Sequence, residues 1–235
     1  MITGGSEGLG LALGMGFAAA GARVSICARN GQALERARER IAETGGDCLA
    51  IPLDVTDEPA VTRWVERTAG ELGDPSVLIN SASILGDRVE LSQYSVETWR
   101  AVIEVNLTGA FLVTRAVLPR MLASGRGSVV NVSSGAALPP RTRWGAYAVS
   151  KLALDGFTIN LAEELKGTAI RVNAVDPGSM RTGMRAAAYP EEDPATVKTP
   201  EANLPVFLWL ASDESTGVSG RRIVAAAWLR DRGLQ

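Results

Sequence analysis

The stretch TGGSEGLG, residues 3–10, decides how this chain is read. Its glycines at 4, 8 and 10 lie between a short apolar start and a Gly/Ala-rich run, free of charge, from 8 to 22. Glycine lets the backbone turn tightly and lets N–H groups approach an anion. A helix beginning there aims the positive end of its dipole at the same point. The spacing is G-x-x-x-G-x-G rather than G-x-G-x-x-G, and a plain turn can also carry such a cluster. The run from 8 to 22 lacks a basic leader, has Glu7 just before it, and is shorter than the roughly 18–20 apolar residues of a membrane span. A buried helix is expected there, and no targeting or lipidation signal is read. Only Met1 and Ile2 precede the loop, whereas a central parallel strand normally has about five residues. The first strand is therefore expected to be truncated, at a cost to the ladders of its two neighbours.

Downstream, short apolar runs alternate with helical stretches. Strands are expected at 24–27, 48–53, 77–80, 128–132 and 170–175. Helices are expected at 32–43, 58–71, 96–122 (Pro119 near its end), 146–165 and 201–210. The strands are apolar at nearly every residue, the pattern of a parallel sheet covered on both faces. Strand–helix alternation of this kind points to a doubly wound α/β fold. No break in composition and no internal repeat divides the chain, so one domain over 1–235 is expected. The segment 188–200 holds three prolines and little periodicity. It reads either as a solvated linker or as part of a substrate loop at about 180–200. Its place after the strand at 170–175 favours the loop, because open α/β sheets bind ligands at the carboxyl ends of their strands.

Composition narrows the function. Of 235 residues, 46% are hydrophobic and 21% charged, enough to bury a core without staples. A net charge of −2 gives no footprint for nucleic acid. There is no histidine, and Cys27 and Cys48 are the only thiols. Neither a disulfide framework nor a metal site is expected, and the reducing cytoplasm is the expected compartment.

Two further places carry chemistry. In dinucleotide sites a carboxylate after the second strand holds a ribose 2′-OH, whereas an arginine suits a 2′-phosphate. Here Ala28 and Arg29 follow the strand at 24–27 and no acid closes it. That favours NADP(H) over NAD(H), although a surface arginine would look the same and Glu7 would not help a phosphate. In YAVSK, Tyr147 and Lys151 stand four apart and share a face on a helix. A phenol with a pKa near 10 shuttles protons poorly at neutral pH. A neighbouring ammonium and an oxidised nicotinamide both favour phenolate, and lowering the pKa by about three units takes roughly 4 kcal/mol. Ser134, just past the strand at 128–132, can hold a substrate oxygen beside Tyr147. Y-x-x-x-K alone is common on amphipathic helices. With the serine and the glycine loop it becomes specific.

Taken together, TGGSEGLG, Asp54 in LDVTD, NSAS at 80–83, Asn106 in VNLTG, NVSS at 131–134, YAVSK and PGSMRT at 177–182 resemble the short-chain dehydrogenase/reductase family. The match runs over nearly the whole chain, in the order of the family's short single-domain branch. The resemblance implies a Rossmann-type doubly wound parallel sheet of about seven strands with helices on both faces. It implies an NADP(H)-dependent oxidoreductase that moves a hydride between nicotinamide and a small-molecule carbonyl or secondary alcohol. Tyr147 would be the acid/base, and Lys151 would bind the nicotinamide ribose and lower the tyrosine pKa. Ser134 would orient the substrate oxygen, and Asn106 would hold a water linking Lys151 to solvent. Gly4, Ser6, Gly8, Leu9 and Gly10 would bind the cofactor together with Arg29. Asp54 and Val55 would touch the adenine, Asn80 the adenosine ribose side, and Pro177, Gly178 and Thr182 the nicotinamide. A homodimer or homotetramer built from the helices at 96–122 and 146–165 is also implied, though sheet packing needs the same apolar arcs.

The chain departs from the family at three points. Ser83 stands where the family usually has glycine, which adds a side chain close to the cofactor. The first strand is short. After GVSG the usual Asp-Gly ending is replaced by RRIVAAAW, 221–228. These departures keep a second reading open, a nucleotide-binding protein without catalysis, against which the complete set Asn106, Ser134, Tyr147 and Lys151 argues. An epimerase or dehydratase of the same broad fold usually has another glycine spacing and a longer substrate domain. An enoyl reductase has a wider tyrosine–lysine spacing. The substrate pocket is expected between Ser134 and Tyr147 and along 188–200; Arg141, Arg143 and Trp144 lie in the first stretch, where they fit an acidic or aromatic substrate less well than they fit a reading as solvated or packing side chains. Sugars, steroids, acyl thioesters and small ketones all stay open.

Overall fold

The computed structural model describes residues 1–139 and 141–234. Its strands are β1 (Ile2–Thr3), β2 (Val24–Ala28), β3 (Cys48–Pro52), β4 (Val77–Asn80), β5 (Gly127–Val132), β6 (Ile170–Asp176) and β7 (Arg222–Val224). All pair in parallel, in the order β3-β2-β1-β4-β5-β6-β7. The helices are α1 (Gly8–Ala19), α2 (Gly31–Ala42), α3 (Glu58–Leu72), α4 (Val96–Ile103), α5 (Gly109–Ser124), α6 (Gly145–Glu164), α7 (Gly183–Ala188), α8 (Leu204–Ala211) and α9 (Ala225–Arg230). Successive strand residues point to opposite faces, and both faces are apolar. Ile26, Ile79 and Val130 meet α1, α2 and α8 through Leu13, Phe17, Leu34, Ile41 and Phe207. Cys27, Leu78 and Val129 meet α3 and α5 through Trp64, Val65, Val113, Val117 and Met121. That double burial is why the strands read as continuous apolar runs. The architecture is the expected Rossmann-type sheet.

Three expectations need correction. The helix at 96–122 is broken: α4 and α5 are joined by a wide, π-type turn at Glu104–Thr108, which carries Asn106. Pro119 lies inside α5, which continues to Ser124. By length and composition the run Val96–Ser124 is apolar enough to cross a membrane, yet Val102, Val113, Val117 and Met121 are buried in the protein. The helix at 201–210 starts as a 3₁₀ turn, Pro200–Asn203, because Pro205 enters at the first turn of α8. The segment 188–200 is also more ordered than its prolines suggested, with a turn at Pro194–Thr196 capped by Asp193.

The first strand is as short as expected, yet the sheet closes over it. Ile2 pairs with Ile26 and Ile79, and Thr3 with Cys27. Ile79 N–H donates to Met1 O at 2.9 Å and Gly5 N–H to Cys27 O at 3.0 Å. At the amino end of the sheet a cavity of about 290 Å³ opens between β2 and β4, lined by Val24, Ser25, Thr68, Ser76 and Val77. The Met1 α-ammonium borders it and donates to Val77 O at 2.8 Å. Burial pushes this amino group from 8.0 down to about 5. As pH falls, the unfolded chain therefore takes up the proton first. The contribution of this amino group to stability is full above pH 8 and is lost as pH falls through about 5. Joining Val-Ala-Val ahead of Met1 moves the charge out and extends β1 into the cavity. Urea midpoints at pH 8.5 and 5.5 are expected to converge in the extended protein. An undiminished gap would place the acid sensitivity elsewhere.

Candidate active site

Strand order reverses between β1 and β4, and open α/β sheets bind ligands at the carboxyl ends flanking such a point. The glycine loop lies there. Gly4 has φ 68°, and a Cβ on it would stand 2.9 Å from Ala82 Cα. A Cβ on Gly10 would stand 2.2 Å from Gly4 O. Only hydrogen fits at either place, so the loop lies flat on the turn after β4 and on the start of α1. The first N–H groups of α1 have no intrahelical acceptor, and Glu7 offers them no side-chain cap. They face the loop with the helix dipole behind them. Ser6 is half-buried beside them, and Leu9, 6% exposed, anchors the helix in the core.

Around this cradle stand the other expected residues. Arg29 is exposed just past β2 and, among the described residues, forms no ion pair. Asp54 accepts the N–H and hydroxyl of Thr56, and Val55 is buried next to Gly109. Asn80 ends β4; its side chain is buried and donates to Thr114 Oγ1 and Asn131 Oδ1. Only the main chain of its turn can meet a ribose. Ser83 Oγ is buried without a hydrogen-bond partner among the described residues. A cradle closed to any Cβ, an anion-facing helix start and an unpaired guanidinium after the second strand fit a dinucleotide.

The relay residues come together beside it. Ser134 follows β5, and its Oγ accepts Ala136 N–H at 3.1 Å. Tyr147 and Lys151 occupy one face of α6, 8% and 1% exposed. Lys151 Nζ donates to Val132 O at 2.7 Å and lies 5.7 Å from the Tyr147 ring centre. Burial pushes Lys151 down to about 8, with Asp155 pulling the other way. Burial also pushes the Tyr147 phenol above its ordinary value; a hydrogen bond with Ser134 opposes the rise and Asp176 adds to it. Desolvation of a buried phenolate is the dominant influence on this group. Asn106 sits in the wide turn. It donates to Ile84 O and Ser150 Oγ at 3.0 Å and accepts Ile84 N–H at 2.8 Å, tying the loop after β4 to α6. Both side-chain donors are committed, so a water there must donate to oxygen, and wide turns of this kind free main-chain carbonyls.

The wall over Tyr147 is aromatic. Trp144 lies 5.5 Å from Tyr147 and 6.1 Å from Tyr189, centre to centre. Arg88 stacks 4.4 Å from Trp144 and 5.0 Å from Tyr189. It donates to Arg143 O at 3.1 Å and to Ala188 O at 2.9 Å. Arg185 covers Tyr189 at 3.8 Å and bonds both oxygens of Glu192 at 2.6 Å. Thr182 caps α7, and its methyl comes 3.3 Å from the place of a Gly8 Cβ. Pro177 and Gly178 lead into this segment, with Gly178 N–H on Asp176 Oδ1 at 3.0 Å. Trp144 packs into this wall, while Arg141 and Arg143 are exposed, the latter paired with Glu90, in line with their reading as solvated or packing side chains. Arg88 escaped the sequence reading because its contacts lie 55 and 100 residues away. Tyr189 heads the flagged segment but carried no mark of its own.

A family model described as short chain dehydrogenase matches residues 1–193. The chain is 35% identical over 223 residues to the Escherichia coli (strain K12) protein named "Uncharacterized oxidoreductase YciK", covering 94% of this chain and 88% of that protein. A short chain dehydrogenase from Shigella flexneri 2a, solved in complex with NADP, has a TM-score of 0.91 at 35% identity over 96% of each chain. Another from Escherichia coli CFT073, complexed with NADPH, has a TM-score of 0.90 at 36% identity over 95% of each. The chain belongs to the short-chain dehydrogenase family. It is an oxidoreductase of that family, acting on CH–OH or C=O groups with a nicotinamide cofactor.

Two measurements check the site. Gly10→Ala is expected to abolish nicotinamide-nucleotide binding, read by fluorescence titration, and to lower Tm by several degrees. Arg88→Ala removes stacking and main-chain bonds together worth about 1–2 kcal/mol. Amide exchange in Gly183–Ala188 is expected to speed roughly tenfold. Unchanged exchange would mean that Arg88 does not hold this segment.

Proposed function

We propose that the enzyme is an NADP(H)-dependent reductase of small carbonyl compounds, reversible to secondary alcohols. The observation that carries this reading is the convergence of Ser134, Tyr147 and Lys151 beside the glycine cradle. In this reading the main chain at Gly4, Ser6, Gly8, Leu9 and Gly10 holds the pyrophosphate, and Arg29 takes the 2′-phosphate. Asp54 and Val55 border the adenine, and the turn at Asn80 borders its ribose. Pro177, Gly178 and Thr182 flank the nicotinamide, and Lys151 donates to the nicotinamide ribose. The bound nicotinamide supplies or accepts the hydride. Tyr147 gives its phenolic proton to the substrate oxygen in reduction and takes it back in oxidation, while Ser134 donates a hydrogen bond to that oxygen.

The electrostatics of the phenol suit a general acid. A phenol held above its ordinary pKa by burial stays protonated through the neutral range, the state a general acid needs. Lys151, down to about 8, remains largely ammonium at pH 7. Leu85, Trp144, Met184 and Tyr189 give the wall apolar faces, and the Arg88 guanidinium stacked on Trp144 and Tyr189 adds positive charge to it, which leaves room for neutral and acidic carbonyl compounds alike. We read the chain as one nucleotide-binding domain over 1–235 with a substrate loop at 180–200, in the cytoplasm. Phe111 on α5 and Val149, Leu152 and Ile159 on α6 are exposed, which supports a homodimer or homotetramer joined through these helices.

The reading is tested by titrating the protein with NADPH and NADH. One charge-assisted phosphate contact contributes about 1.5–3 kcal/mol, so NADPH is expected to bind roughly ten- to a hundredfold tighter, and Arg29→Ala to erase the difference. Tyr147→Phe is expected to keep NADPH binding and to lose about 10²–10⁴-fold in turnover on a panel of small ketones and α-diketones. Wild-type turnover in that variant would remove the mechanism.

A further inference from the structure

Arg222 opens β7, in the stretch that replaces the family's usual ending. Its guanidinium reaches three elements at once. Nε donates to Asp155 Oδ2 at 3.0 Å, and Nη2 donates to Asp176 Oδ2 and to the main-chain oxygen of Ser134, each at 3.0 Å. The Arg222 side chain is 22% exposed, while those of Asp155 and Asp176 are only 7% and 8% exposed. Each partner has its own connection to the relay. Asp155 lies one helical turn beyond Lys151, and its charge helps keep that lysine protonated. Asp176 closes β6, holds Gly178 N–H, and its charge works against the Tyr147 phenolate. Ser134 is the relay serine.

We propose that Arg222 is a positioning residue of the active site, one that fixes the Ser134 main chain against the ends of β6 and α6 and balances the two buried carboxylates there. The inference rests on the reading of Ser134, Tyr147 and Lys151 as the relay. The physical case is the shape of the contact. Two carboxylates withdrawn from water and sharing one site cannot both stay ionised unless a cation sits between them. A planar fork with five donors meets both of them and a carbonyl, whereas an ammonium is a point charge on a flexible stem. β7 is short, and its neighbour is β6. Arg222 therefore carries its hold past β6 to the residue that must stand beside Tyr147. A misplacement of about 1 Å at such a group costs as much as 10²-fold in rate.

The test compares Arg222→Gln, Arg222→Lys and Tyr147→Phe on the carbonyl of the panel that the wild type reduces fastest. Rates are normalised to NADPH-binding sites, so that unfolded protein does not count. Arg222→Gln is expected to lose about 10–100-fold in kcat with its NADPH Kd unchanged. Arg222→Lys, which keeps the charge but not the fork, is expected to recover part of that loss. Wild-type kcat per site in Arg222→Gln, with only Tm lowered, would assign Arg222 to folding alone and overturn the proposal. If Arg222→Gln binds no NADPH, Arg222→Lys decides, and full kcat there would overturn the three-point hold. An active Tyr147→Phe would bring down the relay and this inference together. An inactive Tyr147→Phe beside an unimpaired Arg222→Gln would remove this inference and leave the relay standing.

Discussion

Thr3 carries the centre of the sheet. Its main chain pairs with Cys27 on β2, and its hydroxyl oxygen takes the N–H groups of Ser81 and Ala82, both at 2.9 Å, from the turn after β4. One residue thereby sets the spacing between the two halves of a doubly wound fold at the point where ligands bind. The glycine loop is built on that spacing. Gly4 lies against Ala82 with no room for a methyl group, and Gly10 lies against Gly4. A strand of two residues suffices because the carboxyl end of the sheet needs only Ile2 and Thr3. The amino end bears the deficit as a cavity and a buried amino group.

Burial governs the chemistry more than pairing does. Lys151 and Tyr147 lie on one face of α6, as four-residue spacing requires, but the ammonium bonds Val132 O rather than the phenol. Desolvation moves the two groups in opposite directions, the lysine down and the tyrosine up. Both shifts favour the neutral form. Burial thus favours a protonated phenol in the protein on its own, and a bound oxidised nicotinamide would add positive charge that favours phenolate.

The legible parts of the molecule are the local ones. Strands buried on both faces announce themselves by unbroken apolar runs, so β2 to β6 lie where periodicity placed them. The glycine loop and the Tyr147–Lys151 pair are spacings of ten residues or fewer, within the reach of sequence reasoning. The π-type turn at Asn106 was hidden because Leu107, Thr108 and Gly109 continue the helical pattern. Only the demand of Ile84 and Ser150 on the Asn106 side chain explains the break. The motif marks Asn80 as lying on the ribose side but does not say where its side chain goes. Its neighbours Thr114 and Asn131 come from α5 and β5, and they turn it into the core.

The two arginines least visible in the sequence act on opposite sides of the site by the same means. Arg88 donates to the carbonyls of Arg143 and Ala188, and Arg222 to the carbonyl of Ser134. Main-chain carbonyls carry no residue signature, so no motif marks such contacts. The guanidinium suits the task because its donors are fixed in a plane and its charge persists at any working pH. Arg88 adds stacking on Trp144 and Tyr189, which closes the wall above Tyr147 with apolar faces. Arg222 adds two carboxylates, which fasten the floor below Ser134. Arg88 thereby ties Trp144 and Tyr189 to the segment that ends α7, and Arg222 ties the Ser134 main chain to α6 and β6.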